Sequence, residues 1–291
     1  MFGPNYTRKV SINLDYHHRS NKFRYFYQAC LENFKEKFRI GDDYAVLFIT
    51  GSGTLAVESF IASFNGKLRM NTENLEQEKF NNRWLSIINH YGKYDKLNGE
   101  LLYTQFETSA NQYYSYVDAA IFTDAISSFP YFEKPQTPAW ATVSSKILGG
   151  LPIISIVVIK KDLLESRIEL SPSYLNLLSY YEYKKKQQTP TTTAIPVFED
   201  FSRCLADFDV NKCRAQIDDN FEKISKAVGV EQLVSVDKSP VLAVKPGVIS
   251  EELIEKWGLY VNSVNNSPQI FLYSENEESY DALEKDLKRT S

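Results

Sequence analysis

The chain has 291 residues, of which 43% are apolar and 24% are charged, and its formal net charge is −4. This is the composition of a globular protein, and the length allows one large domain with a small appendage or two ordinary domains. Positive and negative residues are interspersed, so there is no basic stripe and no nucleic-acid partner is expected. Three histidines and three widely spaced cysteines predict neither a metal centre nor a disulfide framework.

No membrane partner is expected either. The longest apolar stretch, around Ile153–Ile159, is too short to span a bilayer. The N-terminal sequence MFGPNYTRKV lacks the apolar core of a signal peptide. The default expectation is therefore a cytoplasmic protein.

The predicted elements alternate between helices and short apolar strands. Apolar periodicity predicts a helix at 22–38, strands follow at 44–50, 100–106, 117–123, 139–145 and 153–160, and helical patterning lies between several of them, at 55–64 and 76–90. Strands that are apolar on both faces and alternate with helices favour a mostly parallel α/β sheet covered on both sides.

The last third of the chain has a different pattern. A polar segment at 184–193 contains a proline and predicts an exposed loop, and a helical pattern follows at 198–227. Short alternating elements then continue to residue 287 and indicate a small α+β unit. We therefore expect a large domain over residues 1–190 and a small C-terminal domain over residues 191–291.

The strand at 44–50 runs through Gly51–Thr54 directly into a helix. Such a turn exposes backbone N–H groups at the positive end of the helix dipole, which makes it a ready phosphate site. A plain strand-to-helix turn capped by Thr54 explains the same residues. They also fit G-x-G-x-x-A through Ala56, with Glu73 about twenty positions on, as in dinucleotide-binding folds. No Gly-Lys-Ser/Thr follows, which excludes a nucleoside-triphosphate loop.

Two further residues stand at predicted strand ends. Asp124 would be costly there without a counter-ion such as a protonated pyridine nitrogen, although it could simply cap a helix or turn. Lys146 precedes the glycine pair Gly149-Gly150. Desolvation at that position would lower its pKa towards the neutral amine that imine chemistry needs, whereas a surface lysine is the simpler interpretation of the residue alone.

The order and spacing of these pieces resemble the class V aminotransferases of pyridoxal-phosphate fold type I. The similarity is greatest to the branch of 2-aminoethylphosphonate–pyruvate and alanine–glyoxylate (serine–pyruvate) aminotransferases. The segments that carry it are Gly3-Pro4, His18-Arg19-Ser20 with Phe23, Gly51–Glu58, Phe80 with Arg83-Trp84, Glu107-Thr108-Ser109, Asp124–Ser128, Ser144-Ser145-Lys146 with Gly150-Leu151-Pro152, and Thr189-Pro190.

The resemblance implies a three-layer, mostly parallel sheet with a small α+β C-terminal domain, and pyridoxal 5'-phosphate as cofactor. Lys146 would hold the cofactor as a Schiff base and move the α-proton, and Asp124 would keep the ring nitrogen protonated. The remaining cofactor contacts would come from Phe80 and Ile126 on the ring, from Thr108 near a cofactor oxygen, and from Ser52, Gly53, Thr54 and Ser145 on the phosphate. Gly3 and Arg19 would contact substrate, and Thr189 would reach the phosphate of a neighbouring subunit in a homodimer.

One departure concerns the substrate. Members of the family carry an arginine in the small domain that pairs with the substrate carboxylate, and this chain has Gln269 near that place. Glutamine cannot replace a bidentate charged pair, so Arg19 is the expected substitute, unless the substrate lacks a standard carboxylate.

The sequence therefore predicts an aminotransferase that moves an amino group between a small amino compound and an α-keto acid. A lyase or decarboxylase on the same scaffold is the enzymatic alternative. Two alternatives fall outside this enzyme class. One is a dinucleotide-binding protein, and the other is a degenerate family member that serves as a non-enzymatic scaffold.

Overall fold

The computed structural model describes residues 2–3, 16–71, 76, 78–115 and 119–290, and the statements below refer to these residues. The helices are α1 (Asn21–Lys37), α2 (Gly53–Ser63), α3 (Lys79–His90), α4 (Lys161–Arg167), α5 (Leu177–Lys184), α6 (Ile195–Asp207), α7 (Val210–Val228), α8 (Glu251–Trp257) and α9 (Glu277–Thr290). The strands are β1 (Tyr44–Thr50), β2 (Leu68–Arg69), β3 (Glu100–Thr104), β4 (Phe106–Glu107), β5 (Gln112–Tyr113), β6 (Ala120–Asp124), β7 (Ala139–Val143), β8 (Ile154–Lys160), β9 (Val241–Ala243), β10 (Tyr260–Val261) and β11 (Pro268–Phe271).

The central sheet has six strands in the order β1-β8-β7-β6-β3-β2. Strands β2, β3, β6 and β7 are parallel, and β8 runs antiparallel to both of its neighbours, β7 and β1. Strand β1 therefore points the same way as β7. As a result, the carboxyl ends of β1, β3, β6 and β7 all lie at one edge of the sheet.

Helices cover the sheet on both faces, as strands that are apolar on both sides require. Successive side chains of β1 point to opposite faces, so Ala45, Leu47 and Ile49 join one hydrophobic cluster while Val46 and Phe48 join another. The first cluster contains α2 to α5, and the second contains α1 and α6. The predicted three-layer, mostly parallel α/β fold is thereby confirmed.

The C-terminal part has its own core. A three-stranded antiparallel sheet in the order β10-β11-β9 packs with α7, α8 and α9. Phe2 belongs to this core as well: its ring lies 4.9 Å from that of Tyr280, and its backbone N–H donates to the Trp257 carbonyl at 3.3 Å.

The predicted continuous helix at 198–227 is wrong, because the segment forms two helices, α6 and α7. Phe208 has an extended backbone (φ −69°, ψ 125°), and the Asp209 carboxylate then caps α7 by accepting from Lys212 N at 2.9 Å. Helix α6 packs in the same cluster as α1. The domain division at residue 190 stays a prediction, and we propose Phe208-Asp209 as the boundary on the basis of this packing.

None of the helices in the described ranges is both long enough and apolar enough to cross a membrane.

Candidate active site

A cavity of about 400 Å³ opens at the edge of the sheet where β1, β3, β6 and β7 end. Its volume is that of a site for a small organic molecule. Both the turn after β1 and the residues after β7 contribute to its wall. The residues that line it include Gly51–Thr54, Phe80, Trp84, Asp124, Ile126, Ser127, Ser145, Lys146 and Ile153.

The turn between β1 and α2 forms one end of this cavity. Ser52 precedes the helix in an extended conformation, and its side chain makes no capping hydrogen bond. The first N–H groups of a helix have no intrahelical acceptor, so the turn offers both backbone and hydroxyl donors to a ligand. Gly53 is required here, since a Cβ would lie 2.6 Å from Ile126 Cδ1.

Asp124 is the last residue of β6 and is buried. Its Oδ1 accepts from Ile126 N at 2.9 Å, and its Oδ2 accepts from the indole Nε1 of Trp84 at 3.0 Å. Burial raises the pKa of this carboxyl to about 6, although both hydrogen bonds and the charge of Lys146 act in the opposite direction. The site therefore holds a carboxylate whose negative charge is only partly compensated.

Lys146 follows β7, and its ammonium donates to Ser127 Oγ at 2.6 Å. The Nζ atom lies 5.9 Å from the centroid of the Phe80 ring. Burial lowers the pKa of Lys146 to about 8, against the opposing attraction of Asp124 and Glu107. A lysine with this pKa is neutral for an appreciable fraction of the time near pH 7, which makes it a nucleophile and a base.

Glu107 fixes the position of Phe80. Its Oε2 accepts from the backbone N–H groups of Phe80 and Asn81, at 3.0 and 3.1 Å, at the start of α3. Its Oε1 accepts from Ser109 N and Ser109 Oγ, at 3.2 and 2.5 Å. Burial raises the pKa of Glu107, although these four hydrogen bonds favour the charged form. The aromatic wall of the cavity is thus held by a buried carboxylate.

A second cavity of about 210 Å³ shares Phe80 and Lys146 with the first. Its other walls combine the start of α3, the segment after β4 and the C-terminal sheet. The residues that line only this cavity are Lys79, Thr108, Ser109, Tyr260, Asn262, Gln269 and Phe271.

The structure brings most of the predicted site residues together. Those that line the first cavity are Ser52, Gly53, Thr54, Phe80, Asp124, Ile126, Ser145 and Lys146. Thr108 lines the second cavity instead.

The other predicted residues lie elsewhere. Thr189 is buried outside both cavities, and its hydroxyl donates to the Thr191 carbonyl at 2.7 Å. Gly3 and Arg19 line neither cavity, and Arg19 is exposed. Pro4 and Glu73 fall outside the described residues.

Sequence reasoning missed the contacts that hold the site residues in place. Trp84 follows Phe80 by four residues on α3, so both lie on one helix face, and this spacing was the available signal. No pattern in the sequence indicated that Ser127 accepts from Lys146, or that Glu107 caps α3.

Comparison with known proteins supports the fold. No protein-family model and no curated protein matches the sequence, whereas solved structures match over nearly the whole chain. One is a phosphoserine aminotransferase from Cytophaga hutchinsonii, with a TM-score of 0.80 and 18% identity over 94% of this chain and 91% of the other. Another is an aspartate aminotransferase of subgroup IV from Thermus thermophilus, with a TM-score of 0.80 and 18% identity over 96% and 93%. A third is an alanine–glyoxylate aminotransferase from Nostoc sp., with a TM-score of 0.79 and 15% identity over 99% and 93%.

At these identities the likeness establishes the fold, and the resemblance to class V aminotransferases is confirmed at that level. The sheet also argues against the dinucleotide-binding alternative. A dinucleotide-binding sheet is built from consecutive parallel βαβ units, whereas here the antiparallel β8 separates β1, which carries the glycine turn, from β7.

Proposed function

We propose that this protein is a pyridoxal-phosphate-dependent aminotransferase with Lys146 as its catalytic lysine. One observation carries the proposal: Lys146, Asp124 and the Gly51–Thr54 turn line a single cavity. In that cavity burial brings the pKa of the lysine down to about 8 and that of the aspartate up to about 6. Perturbed groups of opposite charge in one cleft are typical of catalytic sites.

The donor set fits the cofactor. The phosphate would bind to Ser52, Gly53 and Thr54 at the start of α2, with Ser145 nearby. The ring would lie between Phe80 and Ile126, which both face the cavity. Its nitrogen would face Asp124, whose charge the two hydrogen bonds from Trp84 and Ile126 leave partly uncompensated. We also propose that Thr108 approaches a cofactor oxygen from the second cavity.

When bound, pyridoxal phosphate supplies a carbonyl group for amines and a ring that accepts the electron pair left by deprotonation. The side chains of the protein supply the remaining steps, which are proton transfer, orientation of the ring and exclusion of water. Lys146, with a pKa near 8, would hold the cofactor through its neutral amine and would move the proton at the substrate α-carbon. Asp124 would keep the ring nitrogen protonated. Phe80 and Ile126 would exclude water from the two ring faces.

The substrates would be a small amino compound and an α-keto acid, as in the aminotransferases of similar fold. The lyase or decarboxylase alternative uses the same lysine and aspartate, and no contact in the two cavities favours it. Cytoplasmic placement stays a prediction.

We further propose that the active form is a homodimer. Ile153, which lines the first cavity, is 49% exposed, and the resemblance to class V aminotransferases implies a homodimer. A second subunit would cover this mouth. Contact of its Thr189 with the phosphate stays a prediction, and it requires this buried side chain to be uncovered first. Sedimentation of the active enzyme at working concentration tests this, and an active monomer would refute it.

The central test is chemical labelling. The purified protein, loaded with pyridoxal phosphate, is reduced with borohydride, and its peptides are analysed by mass. We expect the pyridoxyl group on Lys146. Lys146→Ala should fold but carry no reducible cofactor, while Lys96→Ala, which removes an exposed lysine, should label normally. A pyridoxyl group on another lysine, or none in the wild type, would contradict the proposal.

A further inference from the structure

The second cavity shares Lys146 with the first, and its walls do not include the glycine turn. Given the proposed function, on which this inference rests, a substrate amine that meets Lys146 directs its remaining groups into this cavity. The charges and hydrogen-bonding groups of its wall therefore decide which amino compounds bind.

The amide side chains of this wall are already engaged. Gln269 donates through Nε2 to the Thr108 carbonyl at 2.6 Å, and Asn262 donates through Nδ2 to the Ser109 carbonyl at 2.6 Å. Each amide keeps one further N–H, and the Asn262 oxygen already accepts from Val264 N at 3.0 Å. A neutral amide carries no positive charge, so neither residue can take the part of a carboxylate-binding arginine.

Lys79 is the cation that lines this cavity beside Lys146, among the residues that the structure describes. It is the first residue of α3, and its backbone N–H donates to Ser109 Oγ at 2.8 Å, which fixes its Cα at the cavity wall. Its ammonium donates to the hydroxyl of Ser263 at 3.2 Å and forms no ion pair within the described ranges. Lys79 lines the cavity, and its ammonium bonds only to the exposed, neutral hydroxyl of Ser263, so an anion in the cavity can compete for it.

The backbone of the same helix end does not compete for this role. The N–H groups of Phe80 and Asn81, which would otherwise bind an anion at the start of α3, are occupied by the Glu107 carboxylate. Among the residues that the structure describes, the positive charge that lines the second cavity beside Lys146 is therefore the Lys79 side chain.

We infer that Lys79 binds the anionic group of the substrate, in the place of the arginine that the chain lacks. The substrate class is an amine that carries a carboxylate, phosphonate or phosphate. A lysine is a point charge on a flexible stem, so it binds such groups without the geometric selectivity of a guanidinium fork.

The experiment measures anion binding to the cofactor-loaded enzyme. The probe is maleate, a dicarboxylate without an amine, and its dissociation constant is measured by calorimetry. We expect the dissociation constant to rise about tenfold or more in Lys79→Gln, which corresponds to about 1.4 kcal/mol. Lys79→Arg should stay within about threefold of the wild type, because it keeps the charge. Lys96→Gln, at an exposed lysine far from the cavity in the fold, should leave the constant unchanged.

The possible failures can be distinguished. Borohydride labelling of Lys146 should be the same in Lys79→Gln as in the wild type. If the wild type is labelled but Lys79→Gln binds maleate as tightly, the assignment of Lys79 is overturned while the proposed function stands. The assignment of Lys79 is also overturned if the wild type is labelled on Lys146 but does not bind maleate. It is overturned as well if Arg19→Gln loses maleate binding while Lys79→Gln keeps it. Absence of labelling in the wild type removes the proposed function itself.

Discussion

Trp84 of α3 donates its indole N–H to Asp124 Oδ2 at 3.0 Å, so a helix that covers the sheet fixes a carboxylate at the end of a central strand. The same indole N–H also lies 3.2 Å from Thr104 Oγ1, at the end of the neighbouring strand β3. The carboxylate, the aromatic wall of the cavity and two strand ends are thereby tied to one helix.

Trp84→Phe should preserve most of this packing but remove the hydrogen bond to Asp124. We expect the free energy of unfolding to fall by about 1–3 kcal/mol, because a buried acceptor loses its partner. Turnover should fall at least tenfold, since the Asp124 carboxylate is no longer held in its orientation towards the ring nitrogen. Urea denaturation and steady-state kinetics measure the two effects.

The matched control is Trp257→Phe, because the Trp257 indole also donates to an aspartate, Asp286 Oδ2, at 3.0 Å. That variant should lose stability without a change in turnover. Equal loss of turnover in the two variants would show that the Trp84 contact has no special role in the site.

Asp124→Asn should retain some bound cofactor and lose turnover by orders of magnitude, because a neutral amide cannot hold the ring nitrogen protonated. Steady-state kinetics and the cofactor content of the purified variant test this. Activity close to that of the wild type would remove Asp124 from the proposed role.

The same substitution should change how stability depends on pH in the cofactor-free protein. Because the pKa of Asp124 is raised from 3.8 to about 6 by burial, the folded state binds its proton more tightly than the unfolded state. This contribution is fully present below about pH 4 and is lost as the pH rises through 6. The wild type should therefore lose about 2 kcal/mol relative to Asp124→Asn between pH 4 and pH 7. Urea titrations at several pH values measure this. If the difference in unfolding free energy between the wild type and Asp124→Asn does not vary with pH, the raised pKa of Asp124 is contradicted.

Glu107→Gln should destabilise the protein by about 2–4 kcal/mol. Glu107 now accepts four hydrogen bonds, two on each oxygen, and the amide NH2 group of glutamine would face two of these donors without being able to accept from them. The control is Glu100→Gln, which removes a partly exposed ion pair with Arg167, 2.8 Å long. That change should cost less than about 1 kcal/mol. Similar losses in the two variants, measured by urea denaturation, would refute the role of Glu107.

Arg83→Gln should weaken cofactor binding about tenfold. The Arg83 guanidinium donates to Thr54 Oγ1 at 3.2 Å and so places a positive charge beside the glycine turn. Titration of the cofactor-free variant with pyridoxal phosphate measures the effect, and Arg24→Gln, at an exposed position of α1, is the control. Pyridoxal without phosphate should bind both variants as it binds the wild type. If Arg83→Gln loses as much affinity for pyridoxal as for pyridoxal phosphate, Arg83 contributes to binding of the ring and the prediction is wrong.

Much of the fold was predictable because the strands of the sheet are buried on both faces and read as continuous apolar runs. Strand β1 matches its predicted range of 44–50. The break between α6 and α7 was not predictable from periodicity, since apolar residues continue across Phe208 while only the extended backbone and the Asp209 cap separate the helices. Helices α4 and α5 are too short to show a clear period, having seven and eight residues.

The site divides in the same way. Asp124 and Lys146 were predictable because each lies at or shortly after the end of a strand, and strand ends of a parallel sheet meet at one edge. Lys79 was not, because it stands at the start of a surface helix and meets the C-terminal sheet only in the tertiary structure, through Ser263. Arg19 was chosen from its local segment alone, and it lies outside both cavities of the chain.

The C-terminal sheet and the turn before β11 join the rest of the site through three amide groups, which all donate to the carbonyl oxygens of two consecutive residues, Thr108 and Ser109. The donors are Gln269, Asn262 and Asn265. These contacts place the β10–β11 hairpin opposite Lys146 without involving the glycine turn or Asp124. If the proposed function holds, a library of variants confined to the hairpin would change amine specificity while the residues proposed to hold the cofactor stay constant, which makes this hairpin the natural target for directed evolution.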